Sequence, residues 1–191
     1  MTAGISILGA FLALSTVDVI VARAVLDAHD AGLYAAALIL TKAVLFLPQF
    51  VVVVAFPAFA APAERARALR RSLALVLALG VGATGGAALL PDLALAFVGG
   101  REYAEVAGRL WVFAILGTVL ATIQLVVYAG LARRSAGVGR ILVVGTTALV
   151  VVGATWARGR GVDGLLSVVL TVDLVVLTAL GVLAWRRSRS R

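Results

Sequence analysis

Three ionisable residues fall inside long apolar stretches of this chain: Asp18, Lys42 and Asp173. Lys42 is the only lysine among 17 basic residues. A cation within hydrocarbon costs at least ~2.5–3.5 kcal/mol unless it is paired, hydrated or able to reach the surface. Two kinds of chemistry can offset that cost. One is a buried ion pair that fixes helix packing; the other is a wet cavity that receives a charged substrate or ion. Gln49 follows Lys42 by seven residues, two helical turns on, so both lie on one face. Gln124 shares a face with Gly117, Ala121 and Tyr128 by the same spacing, and suits interhelical hydrogen bonding as well as a ligand.

Other chemistries find little support. There is no cysteine and a single histidine, His29, which offers neither a disulfide framework nor a typical zinc site. No Ser-His-Asp set, HExxH motif or glycine-rich phosphate loop occurs, so an enzyme is not expected, and neither is a cofactor or metal. The net charge of +8 would suggest nucleic acid in a soluble protein. Here the arginines gather at the ends of apolar runs, which fits lipid headgroups and membrane orientation instead.

The elements that must position the charges are membrane spans. The chain is 63% hydrophobic and 14% charged, with a mean hydropathy of +1.13, outside the range of soluble domains. An all-α, polytopic protein follows, a single bundle over residues 1–191. Six spans are predicted at about 3–22, 32–60, 72–90, 110–131, 141–156 and 165–185. The second span organises the rest, because it carries Lys42, Gln49 and the internal prolines Pro48 and Pro57. Pro48 should bend it. The first apolar run is too long for a signal peptide and lacks its basic start, so it is read as a retained helix.

Eleven arginines fall in the loops after spans two and four and in the tail, against five in the other loops. The positive-inside rule then places both termini in the cytoplasm. Trp111, Trp156 and Trp185 sit at span ends, as interfacial aromatics do. Counted from Gly32, Lys42 lies about 15 Å deep, and Asp173 lies about 13–14 Å below Gly164, so the two can meet. Asp18 is shallower, within reach of a long lysine stem. Ser167, Thr171 and Thr178 align on the last span, with Asp173 pointing away from them. Ala78, Gly82 and Gly86 recur every four residues and predict a packing face. Glu102 and Glu105 with Arg101 and Arg109 read as a solvated outer loop.

Several pieces form a familiar order. Asp18 precedes Ala31-Gly32-Leu33-Tyr34 at the start of a helix whose end reads Phe56-Pro57. Phe97-Val98-Gly99-Gly100-Arg101-Glu102-Tyr103 and Leu131-Ala132 follow, and Gly161-Val162-Asp163-Gly164 introduces the last span. This order resembles the polysaccharide-biosynthesis flippases, of O-antigen and teichoic-acid type, in the multidrug/oligosaccharidyl-lipid/polysaccharide exporter superfamily. The resemblance covers nearly the whole chain but half of the family's two-lobe architecture, and this chain matches the second lobe. It implies flipping of a lipid-linked oligosaccharide across the bacterial cytoplasmic membrane by alternating access. It also implies membrane lipid and a lipid-linked sugar as ligands, a homodimer or a separate first-lobe chain as partner, and Lys42 facing a pyrophosphate headgroup. Two other readings stand beside it. One is an ion-coupled small-molecule antiporter, with Asp18 binding Na⁺ or H⁺; the other is a non-transporting scaffold or truncated half-transporter.

Overall fold

The computed structural model describes residues 2–47, 49, 65–132 and 136–189. These residues are helical, without a strand among them. The helices are α1 (Thr2–Leu14), α2 (Val17–Val25), α3 (Ala28–Phe46), α4 (Arg65–Leu89), α5 (Pro91–Val98), α6 (Leu110–Ala132), α7 (Ala136–Trp156) and α8 (Gly161–Arg189), with a 3₁₀ segment at Arg101–Arg109. Six helical stretches are long and apolar enough to cross a membrane, and the chain is a multi-pass membrane protein by that measure. The predicted bend at Pro48, the end of the second span with Pro57, and Arg133 and Arg134 lie outside the described residues.

The helices depart from their predicted bounds for local reasons. Helix α3 begins at Ala28 rather than Gly32, because the Asp27 carboxylate accepts the Asp30 amide at 2.8 Å and caps it. Helix α4 already runs through Arg67, Arg70 and Arg71, where a loop was expected. Helix α8 starts at Gly161 and passes Trp185 without a break. Pro91 opens α5 at a position where its missing N–H costs nothing. Gly99 and Gly100, with φ of +139° and +88°, end it in a conformation that other residues avoid.

The first span differs most. It is predicted as one helix over 3–22 but divides into α1 and α2 at Ser15 and Thr16. Both hydroxyls donate back to the Leu12 carbonyl, at 3.1 and 2.7 Å. Such bonds compete with the helical ladder. In an unbroken helix the Val19 N–H would close onto Ser15 O. It reaches Thr16 O at 3.3 Å and Asp18 Oδ1 at 3.0 Å instead, and Ser15 O is released.

Helix α6 forms the centre of the bundle. Leu110, Phe113, Ala114, Leu116, Ile123 and Leu125 are fully buried, so the helix is enclosed on several sides. That follows from an apolar surface on every side, which suits a core helix rather than an amphipathic one. Gly117 lets α3 approach, since a Cβ there would stand 2.6 Å from Thr41 O. At the same junction the Thr41 hydroxyl donates to Phe113 O at 2.9 Å. The small-residue face predicted from Ala78, Gly82 and Gly86 is not the one that packs: a Cβ on Gly82 or Gly86 would meet nothing, whereas one on Gly80 would strike Thr118 of α6.

Candidate functional site

The break in the first span builds the site. Lys42, partly buried on α3, extends its amine to the carbonyl oxygen of Ser15 and donates to it. The cation thus occupies the acceptor that the interrupted ladder left open. A freed backbone carbonyl in hydrocarbon needs such a donor. Asp18, in the first turn of α2, is buried to 2% exposure. Its Oδ1 accepts the Val19 amide and its Oδ2 accepts the Tyr34 hydroxyl at 3.3 Å. Tyr34 is fully enclosed, with its ring edge-on to Phe113 at 5.4 Å between centroids. Tyr34 and Lys42 sit eight residues apart on α3 and so address the same neighbours.

Asp173 enters from α8 at 1% exposure. Its Oδ1 has no hydrogen-bond partner among the described residues. Its charge acts on Lys42 and on Asp18. Measured from the observed helix starts, Lys42 lies about 21 Å and Asp173 about 18 Å along their helices. The longer helices therefore shift both residues inward and keep them near one level. No described carboxylate is in direct ion-pair contact with the ammonium, whose hydrogen-bond partner is the backbone. Two carboxylates and one ammonium thus share the junction of α1, α2, α3 and α8. The carboxylates are buried and the lysine is partly exposed.

Gln49 and Gln124 form a second polar pair. Gln124, 6% exposed on α6, donates through Nε2 to Gln49 Oε1 at 3.3 Å. The spacing rule places Gln49 about 10 Å along from Lys42. The glutamines are one interhelical bond and the charged group is a separate cluster. The last-span hydroxyls behave as expected: Ser167, Thr171 and Thr178 bond to carbonyls of their own helix at 2.7–2.8 Å and point away from Asp173. Among the described residues no three His, Asp or Glu side chains gather as a metal would require.

The outer loop is more than a solvated surface. Arg109 engages Asp163 through Nε and, at 2.7 Å, through Nη2, and it donates to Glu105 O at 3.1 Å. His29 meets Glu105 at 3.1 Å. These exposed contacts join the start of α3, the 3₁₀ segment and the start of α8 at the end of the bundle opposite the arginine-rich loops.

Two contributors escaped the residue-by-residue reading. Ser15 acts through its carbonyl, which no side-chain pattern reveals. Tyr34 was legible only as part of the Ala31–Tyr34 sequence, without a partner. Set against family models, curated proteins and solved structures, the chain finds no match in any of the three.

Proposed function

We propose that this chain is one lobe of a membrane transporter that moves a lipid-linked oligosaccharide across the bacterial cytoplasmic membrane by alternating access. The observation that carries the reading is the broken first span, whose released carbonyl holds the only lysine in front of two buried carboxylates. Interrupted helices that present backbone groups and charges at depth mark binding sites in transporters, where irregular backbone survives only beside protein or a wet cavity. Lys42 is more exposed than Asp18 or Asp173, so an anionic headgroup approaching the cluster meets the cation first. Gln49 and Gln124 extend the polar wall. The sequence resemblance supplies the substrate class. The two-lobe architecture that the resemblance implies needs an opposing wall, which a first lobe or a second copy would supply.

A second reading is favoured by the charge balance. Two carboxylates face one ammonium, and one carboxylate oxygen has no hydrogen-bond partner among the described residues. That excess suits a proton or a monovalent cation at Asp18 and Asp173, and with it ion-coupled transport.

The test is flipping of a fluorescent lipid-linked oligosaccharide in vesicles, with the first-lobe chain present if one is encoded. Lys42→Arg is expected to keep partial activity, and the Lys42→Met/Asp173→Asn pair to stay folded but lose most of it. Wild-type flipping by that pair refutes the headgroup role of Lys42. Flipping that follows an imposed ion gradient, and ceases to follow it in Asp173→Asn, supports the coupled reading. Unchanged membranes after neutralising all three residues leave a scaffold.

A further inference from the structure

Away from the charged cluster, α7 and α8 leave a furrow on the outer surface of the bundle. It has a volume of about 530 Å³. Its walls are Val144 and Ala148 on α7 and Val175, Ala179 and Leu183 on α8, with Arg140 at one end. Its origin is local. Gly145 brings the helices into contact, since a Cβ there would stand 2.3 Å from Val176, and the alanines on either side are too short to fill the flanks.

The furrow has a length and a polarity. From Arg140 to Ala148 is about 12 Å along α7, close to half of a ~30 Å hydrocarbon core. It therefore spans one leaflet, the one on the arginine-rich side. Arg140 is exposed, and no described carboxylate pairs with it. The rest of the lining carries no charge.

The distribution of acids decides what can neutralise Arg140. Glu64 is the single acidic residue on the arginine-rich side of the predicted topology; the others lie in the opposite loops or in the spans. A second copy in the same orientation has almost no carboxylate to offer at this level. A phospholipid of the adjoining leaflet brings a phosphate at the height of Arg140 and an acyl chain along the furrow. An anionic headgroup also suits the excess of arginine on that side of the topology. We infer that the α7–α8 furrow is a binding site for an anionic phospholipid, with its phosphate on Arg140 and one acyl chain between Ala148 and Ala179.

Thermal unfolding of the purified chain in detergent tests this, with added phosphatidylglycerol or phosphatidylcholine of identical chains. The expected result is a melting temperature raised by several degrees more with phosphatidylglycerol. Arg140→Gln, at an exposed position, is expected to erase the difference between the two lipids. Ala148→Leu with Ala179→Leu, which fills the furrow, is expected to lower the response to both lipids. Native mass spectrometry should retain phosphatidylglycerol on the parent and not on Arg140→Gln. Equal stabilisation of the parent by both lipids overturns the inference, as does a phosphatidylglycerol preference that survives Arg140→Gln. Spontaneous crosslinking of Val144→Cys to a second copy in membranes also overturns it, because a protein would then cover the furrow.

Discussion

Replacing Lys42 by Met removes a cation from a place where its partners cannot turn to water. Three groups lose by it. Ser15 O forfeits its donor, and a buried acceptor left unpaired costs about 1–3 kcal/mol. Asp18 retains the Val19 amide and the Tyr34 hydroxyl, but Asp173, with one oxygen already unpartnered among the described residues, loses its opposite charge. Breaking a buried ion pair on one side costs about 3–5 kcal/mol. Lys42 is only partly buried and makes no direct ion-pair contact among the described residues, so the lower end applies, about 3 kcal/mol in total. For a chain of 150–250 residues that is roughly 6–12 °C in melting temperature. Asp173→Asn alone removes repulsion from Asp18 and is expected to be near neutral. Added to Lys42→Met, it should recover at least about 1.5 kcal/mol, within the range of coupling seen between contacting residues. The assay is unfolding in detergent followed by tryptophan fluorescence, with all four proteins in one buffer. A Lys42→Met protein that melts within ~2 °C of the parent, or a double substitution that simply adds the two single effects, refutes the argument that these charges balance one another.

Two further outcomes test the bundle itself. Gly117→Val should destabilise by about 1–3 kcal/mol through overpacking against Thr41 O and Val44, whereas Gly82→Val, facing open space, should melt with the parent; equal effects would mean that the α3–α6 contact is misplaced. Single cysteines at Arg67 and Arg186 should react with an impermeant reagent only from the cytoplasmic side, and one at Glu102 only from the other; labelling of all three from one side removes the six-span topology.

Class and inventory were legible before any contact was known. Apolar runs of bilayer length cannot be accommodated in water, and backbone polar groups cannot be left open in lipid, so six helices followed from composition and spacing alone. The same physics singled out Asp18, Lys42 and Asp173, because a charge in an apolar run is conspicuous whatever surrounds it. Asp27 and Pro91 even carried the signals that start α3 and α5. Which groups meet depends on packing. The long axial coordinate of a helix is readable, but its rotation about that axis depends on all its neighbours at once. Hence Gly80 rather than Gly82 and Gly86 packs against α6, and Gln124 finds Gln49 rather than the charged cluster. The centre of the bundle is α6, a helix without a single charge, and not the lysine-bearing span that the sequence made prominent. The partner of Lys42 was the least legible of all. It is a main-chain oxygen, common to every residue, and it is open to the lysine because the helical ladder is interrupted at Ser15 and Thr16, where the Val19 amide turns to Thr16 O and Asp18 Oδ1.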